Sequence, residues 1–318
     1  MAFNTKIGEA LKNVIEAKGH DGAVEVIKQV IETKKMRPED FSIKEMWLAC
    51  QEADGLSINI KEALTSSAFP KLTGTLINSR IMSAYDAVTK LGDELVTVVP
   101  STVENETIAG LTPPGVPEEV GEGQEYPETT ITEKYVTARN IKYGERIDIT
   151  EETIMFDKTG QILMRAQGIG TKNAQWRERL ILRAVQDLDT TVYKPAGIPT
   201  AVYSSTNKNL ATTNPFGESG MEAVRKLMHQ MVDDTAMPSA DNDYIYINPD
   251  NVFVLVPQDL ELEAWQLANS ILTPESAENA ANFFKGRFKP RTSPYITGAN
   301  ATSWYQGDFK SAFWWLEV

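Results

Sequence analysis

Paired carboxylates are the side chains of this sequence whose type and spacing come nearest to chemistry: Glu118-Glu119 and Glu151-Glu152. Two adjacent acids can divide general-acid and general-base roles, or present oxygen ligands to a hard cation. Either task needs rigid support. Glu118 and Glu119 lie among Pro113, Pro114, Pro117, Gly115, Gly121 and Gly123, a stretch too loose to hold reacting atoms in register. Glu151 and Glu152 follow Thr150, a good helix N-cap, where carboxylates complement the helix dipole. A carboxylate-dependent hydrolase centred on Glu151 and Glu152 is the enzymatic alternative these residues offer.

The remaining reactive side chains form no working set. Gly168-Ile-Gly170-Thr171-Lys172 has the residue types of a phosphate loop but not its spacing, and it falls inside a helical pattern. His20 belongs to a helix-helix turn and His229 to an amphipathic helix, neither beside an Asp or Ser arranged as a relay. Cys50, the single cysteine, follows Trp47, Leu48 and Ala49 and reads as a small buried hydrophobe. It has no partner for an internal disulfide, and two histidines do not complete a zinc site around it. The sequons at Asn105 and Asn300 occur at the rate of chance. No catalytic, cofactor-binding or metal-ligating residue is assigned, and the expectation is a protein that is not an enzyme.

The chain has 318 residues, with 31 basic and 44 acidic side chains and a net charge of −13. That balance argues against a surface built to wrap nucleic acid, which needs Lys and Arg to replace phosphate counterions. No apolar run approaches the length of a membrane span, and Met1-Ala-Phe-Asn-Thr-Lys lacks the apolar core of a secretory signal. The expectation is a soluble intracellular protein.

The elements that position these residues follow from periodicity. Ile7, Leu11, Val14 and Ile15, then Val24, Ile27, Val30 and Ile31, predict a helix pair broken between Gly19 and Gly22. Pro38 is placed to open a third helix carrying Phe41, Met46, Trp47 and Leu48, so residues 1–66 read as a small helical region. A further helix follows Pro70, with Leu72, Leu76, Ile77, Ile81, Ala84, Tyr85 and Val88 on one face and Gly92 placed to end it. Leu95 to Val99 is a short β-rich run.

Residues 101–133 contain no Lys or Arg, yet hold Glu104, Glu106, Glu118, Glu119, Glu122, Glu125, Glu128 and Glu133. Their Pro and Gly content precludes a helix, whereas Thr129 to Val136 is rich in β-branched residues and Ile141, Tyr143, Ile147 and Ile149 alternate with polar positions. This predicts a long β-ribbon over residues 101–149 with an acidic tip. The longest helical pattern follows, from Thr150 to Asp189, with Gly168 and Gly170 inside it as a point where the helix bends or breaks. Beyond Pro195 the pattern is mixed: an amphipathic helix from Met221 to Met231, strands at Asp243–Ile247 and Val252–Val256, a helix after Pro257, and a basic run of Lys285, Arg287, Lys289 and Arg291.

The order helical region, ribbon, long helix, α/β domain resembles the major capsid proteins of tailed bacteriophages. Four stretches carry the likeness over residues 67–318: Phe69-Pro-Lys-Leu-Thr-Gly74, Glu125-Tyr126, Ile149-Thr-Glu-Glu-Thr-Ile-Met-Phe-Asp157 and Trp304-Tyr-Gln-Gly-Asp-Phe309. The resemblance implies an α+β, Hong Kong 97-type capsid fold. In its terms residues 1–66 are the N-terminal helical region, 67–100 the N-arm and entry to the P-domain, and 101–149 the extended ribbon or E-loop. Residues 150–199 are the P-domain with its spine helix, and 200–318 the A-domain. The chain departs from the family after Phe309: further strands usually follow, and here only nine residues remain. Either the gene product continues or the sheet closes differently.

The function so implied is a head subunit that self-assembles into an icosahedral shell around phage DNA, in a virion assembled in the host cytoplasm. Its partners are many copies of itself as hexamers and pentamers, a portal, scaffold or decoration proteins, and DNA enclosed without sequence preference, with no membrane and no cofactor. An encapsulin-like nanocompartment shell is the same-fold alternative. Charge adds an expectation for the subunit interface: Glu118, Glu119, Glu122 and Glu125 of one copy face Arg177, Arg179 and Arg183, or Lys285, Arg287, Lys289 and Arg291, of a neighbour. Gly168 and Gly170 are the expected hinge.

Overall fold

A computed structural model describes residues 6–33, 43–53, 68–111, 119–123, 125, 133–144, 161–188, 201–205, 209–231, 244–273, 281–296 and 302–318. In chain order the helices are α1 (Lys6–Glu32), α2 (Ile43–Ala53), α3 (Ala68–Ala87), α4 (Gly92–Leu95), α5 (Gln161–Val185), α6 (Glu218–His229), α7 (Glu261–Asn269) and α8 (Phe309–Ala312). The strands are β1 (Thr97–Pro100), β2 (Asn105–Leu111), β3 (Glu133–Arg139), β4 (Phe253–Val256), β5 (Lys289–Thr292), β6 (Tyr305–Gly307) and β7 (Trp314–Glu317). The architecture is mixed helix and strand, compatible with the α+β expectation. Pro38, Phe41, Glu118, Ile147, Ile149, Thr150, Glu151, Glu152, Asp243 and Asn300 lie outside the described residues.

Contacts divide the chain into two compact units, Met1–Lys90 with Tyr143–Arg177, and Leu91–Lys142 with Glu178–Val318. In the first, α1 kinks at Gly19, whose φ of 72° is a left-handed conformation that glycine adopts without Cβ strain. The two arms of α1 pack with α2 and α3. Leu11, Ile15, Ala23 and Ile27 meet Ile43, Met46, Trp47 and Cys50, spaced three and four residues apart along one face of α2. Leu72 and Leu76 of α3 and Ile162 and Leu163 of α5 complete this core. Full burial of a leucine contributes about 2 kcal/mol, so these interlocked apolar faces, more than helix propensity, hold the bundle. Cys50 is 5 % exposed, as its apolar neighbours implied.

Some sequence expectations meet a different structure. Gly92 does not end the preceding helix: α3 stops at Ala87, and Gly92 opens α4. Of the bend or break expected at Gly168 and Gly170, the break is absent, because α5 runs through both without interruption. Gly170 has a packing reason. A Cβ there would collide with the Ile81 carbonyl and lie 2.9 Å from the Ala84 Cβ, so the glycine allows α3 and α5 to approach closely. The expected alternation through Ile141 and Tyr143 also fails as a strand. Residues 140–144 are irregular, and the Tyr143 ring instead meets Trp176 edge-on at 6.0 Å.

In the second unit β4 is the centre of a three-stranded sheet, ordered β5-β4-β6, parallel to β5 and antiparallel to β6. Its four residues are all buried, as an uninterrupted apolar run predicts. Strand alternation then sends successive side chains to opposite faces. Phe253 and Leu255 join Leu95, Ile181, Leu182, Val185, Ile296 and Phe309 in one core. Val254 and Val256 join Phe216, Met221, Ala264, Leu267, Phe284 and Phe288 in another. The strand expected at Asp243–Ile247 is not formed: residues 245–248 are irregular, with a single bridge residue at Tyr244. The last strand, β7, pairs in parallel with β1 from Thr97↔Trp314 to Pro100↔Glu317.

Candidate assembly surface

The ribbon is built from β2 and β3, antiparallel, in register from Asn105↔Arg139 to Leu111↔Glu133. Directly opposed residues share a face. Ile108 and Val136 are half-buried and Ala138 is buried on one face. On the other, Thr107 and Thr137 hydroxyls lie 3.2 Å apart and Tyr135 is 61 % exposed.

Its base is pinned by Asn140. The side-chain amide donates to Ser101 Oγ at 2.7 Å and to the Val103 carbonyl at 2.6 Å, while its backbone N–H donates to the Glu104 carbonyl at 2.8 Å. Glu104 is not without a basic partner, as the charge count of its own segment suggested. It pairs with Arg139 across the ribbon at 3.0 Å. At the far end Glu119, Glu122 and Glu125 are exposed beside a turn at Gly123, where φ is 84°.

The cations expected to face this loop divide into distinct environments. Arg177 is 8 % exposed and therefore enclosed by its own chain, whereas Arg179 is exposed. Arg183 is half-buried and donates to the Leu188 carbonyl at 3.4 Å. Lys285, Arg287 and Lys289 are exposed. Arg291 donates through Nε to Glu94 at 2.8 Å and lies 5.7 Å from the Phe253 ring, with Lys289 Nζ 5.4 Å from that ring. Arg287 lies 4.1 Å from the Phe283 ring, and Arg225 of α6 approaches the same ring at 4.9 Å. Sequence reading missed Arg225, because nothing in a lone arginine of an amphipathic helix announces an aromatic partner far along the chain.

The reactive side chains assemble no catalytic constellation among the described residues. No group of three or more His, Cys, Asp or Glu residues is placed to hold a metal ion there. His229 is exposed at the end of α6, and Gly168 to Lys172 lie within α5, where no phosphate-cradling loop exists. The perturbed acids have structural causes. Burial, then Tyr305 and Asp187, push the Tyr203 phenol far above its usual range, and its hydroxyl donates to the Val185 carbonyl at 2.6 Å. Lys226, by hydrogen bond and charge, holds the Glu222 carboxyl below its usual range.

The family described as phage capsid protein matches residues 133–318, more than half of the chain. The chain belongs to the phage capsid protein family. The match begins at the first residue of β3 and covers α5, the whole of the core around Val254 and Val256, and the core around Phe253 and Leu255 except for its contribution from Leu95 and Val96. Searches among curated proteins and among solved structures find no match.

The capsid protein is thus a phage structural protein, of a family that is structural and not enzymatic, and its place is the virion. Among the described residues, no helix is long and apolar enough to cross a membrane.

Proposed function

We propose that this capsid protein is a head subunit that self-assembles, through hexamers and pentamers, into an icosahedral shell enclosing phage DNA. Its fold in this reading is of the Hong Kong 97 type, with residues 1–66 as the N-terminal region, 101–149 as the extended loop, 150–199 around the spine helix and 200–318 as the A-domain. The observation that carries it is the ribbon. Its base is held by Asn140, yet Val103, Tyr135 and Ile141, at 51, 61 and 58 % exposure, lack cover within their own chain. Exposed apolar side chains on and beside one ribbon suit an interaction surface, and a repeated shell supplies the missing cover from neighbouring copies.

The acidic loop in this reading lies across a neighbour, with Glu118, Glu119, Glu122 and Glu125 toward its exposed cations. A change of curvature in α5 near Gly168 and Gly170 accompanies the passage between assembly states. Portal and scaffold or decoration proteins are its further partners, and assembly takes place in the host cytoplasm. Light scattering over a series of salt and protein concentrations tests self-assembly. Species much larger than the 35.3 kDa chain are expected, and a monomer under every condition contradicts the reading.

A further inference from the structure

The run Lys285, Arg287, Lys289 and Arg291 reads as one basic patch in sequence, but the fold divides it. Lys289 and Arg291 turn to Phe253, and Arg291 is also paired with Glu94. Arg287 turns instead to Phe283, where Arg225 arrives from α6. The two guanidiniums stand 4.1 and 4.9 Å from one ring centroid, which bounds their separation at the sum of those distances.

This cluster is held firmly. Phe283 is 43 % exposed, but its neighbour Phe284 is buried in the core and meets it edge-on at 5.3 Å. Asn282 fixes the backbone: its amide donates to the Leu267 and Ser270 carbonyls at 2.6 and 3.0 Å, and its Oδ1 accepts the Phe284 N–H at 2.9 Å. Gly286, with φ of 69°, turns the chain so that Arg287 returns to the ring. The nearby acid Glu222 is engaged by Lys226 at 2.6 Å and feels the charge of Arg225 without pairing with it. Among the described residues, no carboxylate forms an ion pair with Arg225, Lys285 or Arg287.

A guanidinium held over an aromatic face by cation–π attraction keeps N–H donors for a carboxylate, and the ring limits where it can go. In a chain of net charge −13, such a cluster calls for an anion. The same chain carries one in excess: Glu119, Glu122 and Glu125 are exposed, on a segment without Lys or Arg from Ser101 to Glu133, and form no ion pair with the described residues.

We propose that the Arg225–Phe283–Arg287 cluster is the seat for Glu119, Glu122 and Glu125 of a second copy of this chain. The inference rests on the self-assembly reading and names where one of its contacts forms. Acid and base come from different elements, so one copy can offer its acids to the next in a head-to-tail contact, the kind that closes into rings when the rotation allows.

Charge exchange in the full-length protein tests it. Arg225→Glu with Arg287→Glu should slow assembly by about 1.4- to 5-fold per lost contact. Glu119→Lys, Glu122→Lys and Glu125→Lys together should do the same, and a chain carrying both sets should recover. Circular dichroism checks that each variant is folded. Separately, mixing a Glu122→Cys chain with a Lys285→Cys chain under mild oxidation should yield a disulfide-linked pair, with buried Cys50 not competing. Wild-type shells with unaltered assembly in both reversed variants, or no recovery on combining them, would overturn the seat while leaving self-assembly standing. Loss of duplex DNA retention in the arginine variant with assembly intact would reassign the cluster to nucleic acid and overturn it equally. A wild-type chain that never assembles contradicts the function itself, and absence of the mixed disulfide would then remove the seat as well.

Discussion

The Glu178 carboxylate accepts the backbone N–H of Gly92 at 2.7 Å, in a buried contact between residues 86 positions apart. Gly92 opens α4, whose first amides have no partner within the helix, so a carboxylate from α5 does the work of a missing cap. The approach is close. A Cβ at Gly92 would meet Ile181 Cδ1 at 2.9 Å and Glu178 Oε2 at 3.0 Å.

Glu178→Ala leaves that buried amide unpaired and should cost about 1–3 kcal/mol. Gly92→Ala should cost about as much by overpacking. Denaturant unfolding followed by fluorescence checks both, and stability unchanged in either variant would show that the contact does not hold α4 in place.

Gly168 and Gly170 should respond oppositely to alanine. Gly168 has nothing within 4 Å of its Cβ position, so Gly168→Ala should stabilise α5 by up to about 1 kcal/mol through helix propensity. Gly170→Ala drives a methyl into the Ile81 carbonyl and should destabilise the first unit. If both variants assemble and unfold alike, close packing is not the reason for Gly170.

Asn140→Ala removes both side-chain hydrogen bonds at the ribbon base, each worth about 0.5–1.5 kcal/mol. Limited proteolysis should then cut near residues 101–104 sooner, while the cores around β4 keep their protection in hydrogen exchange. Cleavage at the wild-type rate contradicts the pinning role.

Tyr203 sets an alkaline limit. Its phenol ionises in the unfolded chain near 10.0 but much higher in the fold, chiefly through burial. The stabilisation is therefore complete below about pH 10 and is lost as the pH rises past it, because only the unfolded chain gives up the proton. Tyr203→Phe should weaken that alkaline loss, at the expense of the bond to Val185 at neutral pH. An identical stability profile between about pH 9 and about pH 11 would count against it.

How much of this was legible depends on how far along the chain each cause lies. Gly19, Leu72 and Leu76, and the run Phe253-Val-Leu-Val256 carry local signals, and the kink, the bundle face and the buried strand follow from them. The ribbon was readable because β-branched residues and turn formers sit side by side, although Ile141 and Tyr143 share its alternation without its pairing. Contacts between distant residues left no mark. Gly92 looked like a helix stop until Glu178 reached it, and β1 found β7 more than 200 residues later. At the assembly surface the exposed Glu119, Glu122 and Glu125 were legible from charge alone. The division of Lys285 to Arg291 between two aromatic rings, and the arrival of Arg225, depend on side-chain directions that only the fold sets.

Electron microscopy of the purified full-length protein tests the central claim most directly. Closed shells, or rings of five and six subunits that convert to them, are the expected result. Fields of separate particles no larger than one 35.3 kDa chain, across the salt and protein concentrations at which the protein stays folded, would contradict it.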